Sequence, residues 1–188
     1  MQFIEVFILF VMIIIFVMFI QNQFSEVERV QSSVDKRLYL VRKLPNSQAA
    51  ADYLAEINQL LQKLVNHMIA KYPENSEVQQ LYKNYNPDSI SEGSPDSGYT
   101  SYSVNKGEKL ILCIRQIDNT FVEQNVILYV AIHELGHIMT KEVGHTDKFW
   151  ENFKILLEEA VTLGIYKKID YKEQPQDYCG IKITNSII

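Results

Sequence analysis

His133, Glu134 and His137 form the pattern His-Glu-x-x-His, and His145 follows Gly144 eight residues after His137. Histidines four residues apart stand one above the other on one face of a helix. Glu134 lies about 100° round from His133, so its carboxylate flanks the same site. Neutral imidazoles bind zinc, and a neighbouring carboxylate can take a proton from water. The chemistry this spacing predicts is zinc-assisted hydrolysis, with one Zn2+ per chain, His133 and His137 as ligands and Glu134 as general base. A catalytic zinc keeps three protein ligands and one open position. His145 is the expected third ligand, because Gly144 permits the positive φ that returns the chain toward the first two histidines. Glu158 and Glu159, on the next helix, are the alternatives. The longer pattern H-E-x-x-H-x-x-G-x-x-H is not met, since Thr140 and Val143 occupy its Gly and last His places.

These groups need a rigid element to hold them. Residues 123–142 read as one helix: Val126, Tyr129 and Val130 continue the histidine face, while Leu128, Ile132, Leu135 and Met139 cover the other side. A helix apolar nearly all round is buried. Thr146 or Asp147 starts a following helix through Phe149, Phe153, Leu156 and Ala160, with Phe149 and Trp150 read as core packing. Before the metal helix, residues 99–104 and 109–115 are rich in β-formers and flank a turn at 105–108, which predicts a hairpin. Its first strand, with Tyr99, Ser101 and Ser103, suits an edge able to pair with an extended peptide; a purely structural hairpin is the alternative. Upstream, Asn46 or Ser47 starts an amphipathic helix carrying Ala50, Leu54, Ile57, Leu61, Leu64 and Met68 at helical spacing, closed by Pro73. His67 flanks that face as a surface histidine. Residues 76–85 give a second, shorter helix. Tyr166 follows the last helix and is a candidate donor to the transition-state oxyanion.

Residues 6–20 are unbroken apolar sequence, and including residues 3–5 gives 18 residues interrupted only by Glu5. Such a run spans roughly 27 Å, just enough for a transmembrane helix. A cleaved signal peptide would want a basic start and a small-residue cleavage site, and both are missing. Basic residues follow the segment and none precedes it, which places the C-terminal domain in the cytosol by the positive-inside rule. Cys113 and Cys179, in no C-x-x-C pattern, suit a reducing compartment; a single structural disulfide is the alternative. The 188 residues carry a net charge of −5 with no basic block, so nothing points to nucleic acid as a partner.

The run His133-Glu134-Leu135-Gly136-His137, with Gly144-His145-Thr146-Asp147-Lys148-Phe149-Trp150, resembles the WLM and SprT-like zinc peptidases. In these, a loop histidine and a nearby aromatic residue follow the H-E-x-x-H helix. The stretches at 99–107 and Tyr178-Cys179-Gly180 more loosely resemble membrane-anchored, WLM-like proteins of large DNA viruses. The resemblance implies an α+β zincin-like metallopeptidase domain and assigns His133, His137 and His145 as zinc ligands and Glu134 as base. The resulting expectation is a membrane-anchored zinc metallopeptidase acting on a protein or peptide substrate. Residues 1–22 are its transmembrane anchor, 23–45 a juxtamembrane connector, and 46–188 a small antiparallel sheet packed on helices. A metal-dependent amidohydrolase on a non-peptide substrate, or a non-catalytic membrane-tethered binding protein of the same fold, are the rival readings.

Overall fold

The computed structural model describes the backbone of residues 2–23, 26–94 and 100–188, with the side chains of these except at 2 and 17–23. Tyr99, assigned above to the edge strand, lies outside the described residues. The elements run α1 (Gln2–Gln23), β1 (Val27–Gln31), β2 (Leu38–Arg42), α2 (Ser47–Lys71), α3 (Ser76–Asn84), β3 (Ile90–Glu92), β4 (Tyr102–Val104), β5 (Lys109–Leu112), α4 (Gln124–Met139), α5 (Asp147–Thr162), β6 (Gln176–Tyr178) and β7 (Ile181–Ile183).

Alternating apolar residues build the sheet. β1 to β5 form one sheet in the order β1-β2-β3-β5-β4. β1–β2 and β4–β5 are antiparallel, whereas β2–β3 and β3–β5 are parallel. The sheet is therefore mixed, not antiparallel as expected: the crossover through α2 and α3 returns the chain to β3 in the direction of β2. The stretch read as a connector, 23–45, holds β1 and β2, whose Val-x-x-Val and Leu-x-Leu runs pair with each other and carry the sheet to its far edge. α2 lies across β1, β2 and β3, while α4 is packed between α3 and α5 and against β4 and β5. The periodic positions of α2, Ala50, Leu54, Ile57, Leu61, Leu64 and Met68, are all fully buried. Each such Leu, Ile or Met side chain contributes about 1.5–3 kcal/mol of transfer free energy.

Two expectations are corrected here. In α1 the described side chains, residues 3–16, are exposed. Among the described residues no helix is long and apolar enough to cross a membrane. The transmembrane helix, and with it the single-pass localisation that set the domain in the cytosol, are thereby overturned, and the bilayer is left without support as a partner. The second correction concerns the cysteines. Cys113, just after β5, and Cys179, in the β6–β7 turn, form a disulfide across 66 positions of sequence. The turn that brings them together has Cys179 at φ 48° and Gly180 at φ 86°.

Candidate metal centre

α4 is capped at its start by the Glu123 side chain, which accepts from the Val126 amide. Its interior is apolar on every side except the stripe of His133, Glu134 and His137. The chain leaves α4 at Thr140, passes Gly144 at φ 88° and presents His145 directly before Thr146. Thr146 caps α5, its hydroxyl accepting from the Phe149 amide at 3.3 Å. Two helices in fixed packing thus bracket the short loop that carries the third histidine.

The three imidazoles converge. Their ring nitrogens lie within 4.8 Å of one another, and they form a group able to hold a metal ion. Nε2 of His145 is 3.1 Å from Nε2 of His133. Two nitrogens at zinc–nitrogen bond length on one tetrahedral ion would stand about 3.3 Å apart, so the spacing fits zinc. Burial, with the neighbouring His137 and His145, pushes His133 down to about 3. Burial, with His145 and Lys106, pushes His137 down to about 4. Both are neutral at physiological pH, the form in which imidazole binds a metal. The donor set therefore fits the ion in chemistry as well as in spacing.

Aromatic rings fix the imidazoles from behind. Phe149 is buried and stacks on His137 at 4.3 Å, and Trp150 stacks on His145 at 5.5 Å. Trp150 is 41% exposed, so it is not the core residue its helical spacing implied. The Glu134 carboxyl is buried and accepts hydrogen bonds from the backbone amide and hydroxyl of Ser103 in β4. Burial pushes it up to about 7, and the Ser103 bonds oppose that shift. A cavity of about 650 Å³ opens over Glu134 and the three histidines, walled on the β4 side by Ser101, Ser103 and Lys106. A second cavity of about 350 Å³ lies on the other side of His133, between Tyr129, Trp150 and residues 182–187.

The other candidates separate cleanly. Ser101 and Ser103 lie at the cavity, and β4 is the edge strand of the sheet. The alternative ligands do not face the histidines. Glu159 accepts from Lys71 Nζ at 2.6 Å and the Tyr72 hydroxyl at 2.7 Å, and lies 2.7 Å from His67 Nε2. Glu158 is exposed and pairs with Lys154 at 4.0 Å. His67 is part of that α2–α5 seam, partly buried and not a free surface side chain. Tyr166 sits in a buried aromatic cluster, its hydroxyl 3.5 Å from that of Tyr171, and outside the lining of either cavity.

Two groups at the site were not found from sequence. Tyr178 is fully buried, with its hydroxyl 2.5 Å from Ser101 Oγ, and the same Oγ accepts from the Cys113 amide. Lys106 reaches from the β4–β5 turn to the end of α4. The only sequence signal for Lys106 was the Asn-Lys-Gly turn itself.

A profile of the WLM domain family matches residues 33–186. The uncharacterized protein R325 of Acanthamoeba polyphaga mimivirus is 33% identical over 169 residues, covering 87% of this chain and 86% of its own length. The uncharacterized protein 136R of Invertebrate iridescent virus 6 is 35% identical over 85 residues, 44% of this chain and 46% of that protein. Among solved structures, Wss1 from Saccharomyces cerevisiae is 20% identical, with a TM-score of 0.49 over 66% of this chain and 87% of that one. WLM proteins are metalloprotease-like, which makes this chain peptidase-like in its coarse class. With the match spanning both the helix of His133 and the loop of His145, the chain belongs to the WLM domain family, as a WLM-like protein of the kind found in large DNA viruses.

Proposed function

We propose that this protein is a zinc-dependent endopeptidase with His133, His137 and His145 as metal ligands and Glu134 as general base. The observation that carries the reading is the convergence of three imidazoles beside a buried carboxyl that opens on one cavity. When bound, zinc supplies a Lewis acid that polarises the substrate carbonyl and acidifies water. Glu134 accepts the proton from the attacking water and later delivers it to the leaving amine. Without the ion, burial holds the Glu134 carboxyl above the ordinary carboxylate range, and a cation beside it would favour the charged form that accepts the proton. Ser103 keeps the Glu134 carboxylate turned toward the cavity, and Phe149 and Trp150 hold the imidazole planes. β4 is an edge strand beside the cavity, which favours a protein substrate lying along it.

The test is zinc stoichiometry on the full chain with a broad peptide-cleavage screen. The wild type takes up about one zinc, and His133→Ala abolishes tight binding. Glu134→Gln keeps the metal and loses turnover. Equal zinc loss in both variants overturns the assignment of roles.

A further inference from the structure

We infer that Lys106 is a positioning residue for the metal centre: its ammonium fastens the end of α4 to the loop that presents His145, and so sets where the third imidazole stands. The inference rests on the reading of His145 as a ligand. Lys106 Nζ donates to the carbonyls of His137 at 3.1 Å, Thr140 at 2.7 Å and Glu142 at 2.6 Å. A lysine ammonium has three donors and no acceptor. All three are engaged with backbone, which leaves none for a substrate although Lys106 lines the cavity.

The three carbonyls differ in what they control. The last carbonyls of a helix lack intrahelical partners. In α4, that of Gly136 receives the Thr140 amide and hydroxyl, and that of Ile138 receives Gln80 at 2.8 Å. Lys106 completes this cap at His137, where a cation also complements the helix dipole. The carbonyls of Thr140 and Glu142 lie past the helix, on the path to His145. Residues 141–145 are all exposed, so the loop has little packing of its own. The ammonium ties the Glu142 carbonyl in the middle of this loop to the end of the rigid helix.

The turn that carries Lys106 is itself held in an uncommon conformation. Asn105, Lys106 and Gly107 take φ values of 46°, 57° and 114° in succession. Left-handed backbone at two consecutive non-glycine residues is rare and persists only where the surroundings enforce it. Gly107 lets the turn lie close against the end of α3, since a Cβ there would collide with the Asn84 carbonyl. Packed against α3 in this conformation, the turn aims the lysine under the His145 loop.

The experiment combines Lys106→Met and Lys106→Gln with His145→Ala as double-mutant cycles on the full chain. Zinc affinity is read by competition with a chelator, and folding by circular dichroism. The Lys106 ammonium is a cation held 3.1 Å from the His137 carbonyl, close to where a divalent ion would sit, so on charge alone its removal favours a divalent cation. A loss of affinity therefore reports position and not charge. The expected result is a loss of about tenfold or more in the wild-type background. In the His145→Ala background the further loss stays within about twofold. Trp150, the sole tryptophan, gives a second reading that needs no zinc, because His145 stacks on it. In metal-free protein the Lys106 variants shift its emission in the same direction as His145→Ala does. Equal losses in both backgrounds, or unchanged affinity with unchanged Trp150 emission, overturn the inference. A wild type that takes no zinc removes the metal reading alone, and the emission of Trp150 then decides the role of Lys106.

Discussion

Glu134→Gln in the metal-free protein tests whether the carboxyl is held in a site that disfavours its charge. Burial pushes Glu134 from 4.5 up to about 7, against the hydrogen bonds of Ser103. Between those two values the folded chain holds a proton that the unfolded chain has released. Stability from this group is therefore full below about pH 4.5 and is lost as pH rises through about 7. Above that, the folded protein carries a buried carboxylate at a cost of up to about 3 kcal/mol. Glutamine keeps the shape and removes the charge. The variant should thus exceed the wild type by up to about 3 kcal/mol at pH 8, roughly 6–12 °C in a chain of this size. At pH 5 the gain falls below about 1 kcal/mol. Urea unfolding in the presence of a chelator at the two pH values measures the difference. Saturating zinc should close the gap at pH 8, because the ion supplies the missing countercharge. A gain independent of pH, or a variant less stable than wild type at pH 8, would falsify the assignment of a strained base.

Two further outcomes test the frame around the site. Glu159→Gln should cost roughly 1–3 kcal/mol near neutral pH by leaving Lys71, Tyr72 and His67 without their shared acceptor, while zinc affinity stays at the wild-type value. Burial raises the Glu159 pKa, but the bonds from Lys71, Tyr72 and His67 outweigh it and bring the group to about 2; its stabilisation is present above the ordinary carboxylate range and is lost as pH falls through about 2, so the two melting curves should converge in acid. Reducing the Cys113–Cys179 bridge should destabilise by about 4 kcal/mol, the chain-entropy value for a loop of that size. Thermal melting with and without reductant checks it, and an unchanged midpoint would show that the hairpin of β6 and β7 is held without the bond.

The elements that hold the site were legible because burial imposes a period. α2, α4 and α5 show apolar positions every three or four residues, and their observed limits fall close to those read from spacing. The hairpin of β4 and β5 was equally clear, with the apolar strand inside and the polar strand at the edge. Strand direction was not legible, since a period of two is the same read either way; hence the parallel β2–β3–β5 arrangement was missed. The disulfide was hidden by distance, because a separation of 66 positions leaves no local trace of the pairing. The apolar N-terminal run misled for the converse reason: hydropathy alone was taken as a span, whereas among the described residues no helix is long and apolar enough to be one.

Charged side chains expose the deeper limit of a sequence reading. Glu158 and Glu159 are adjacent and identical in type, yet one is solvated and the other is the acceptor for His67 and Lys71 of α2 and for Tyr72 just past it. Nothing local distinguishes them, because the difference arises only where α5 meets Lys71 and Tyr72. Lys106 is the same case at the metal centre. In sequence it is one lysine in a polar turn, and its placement depends on Gly107 against Asn84 and on where α4 ends. The histidines announce themselves because a metal demands particular atoms at particular spacing. The groups that hold those atoms in place are chosen by tertiary contact, and a turn more than thirty residues upstream can serve as well as a neighbour in the chain.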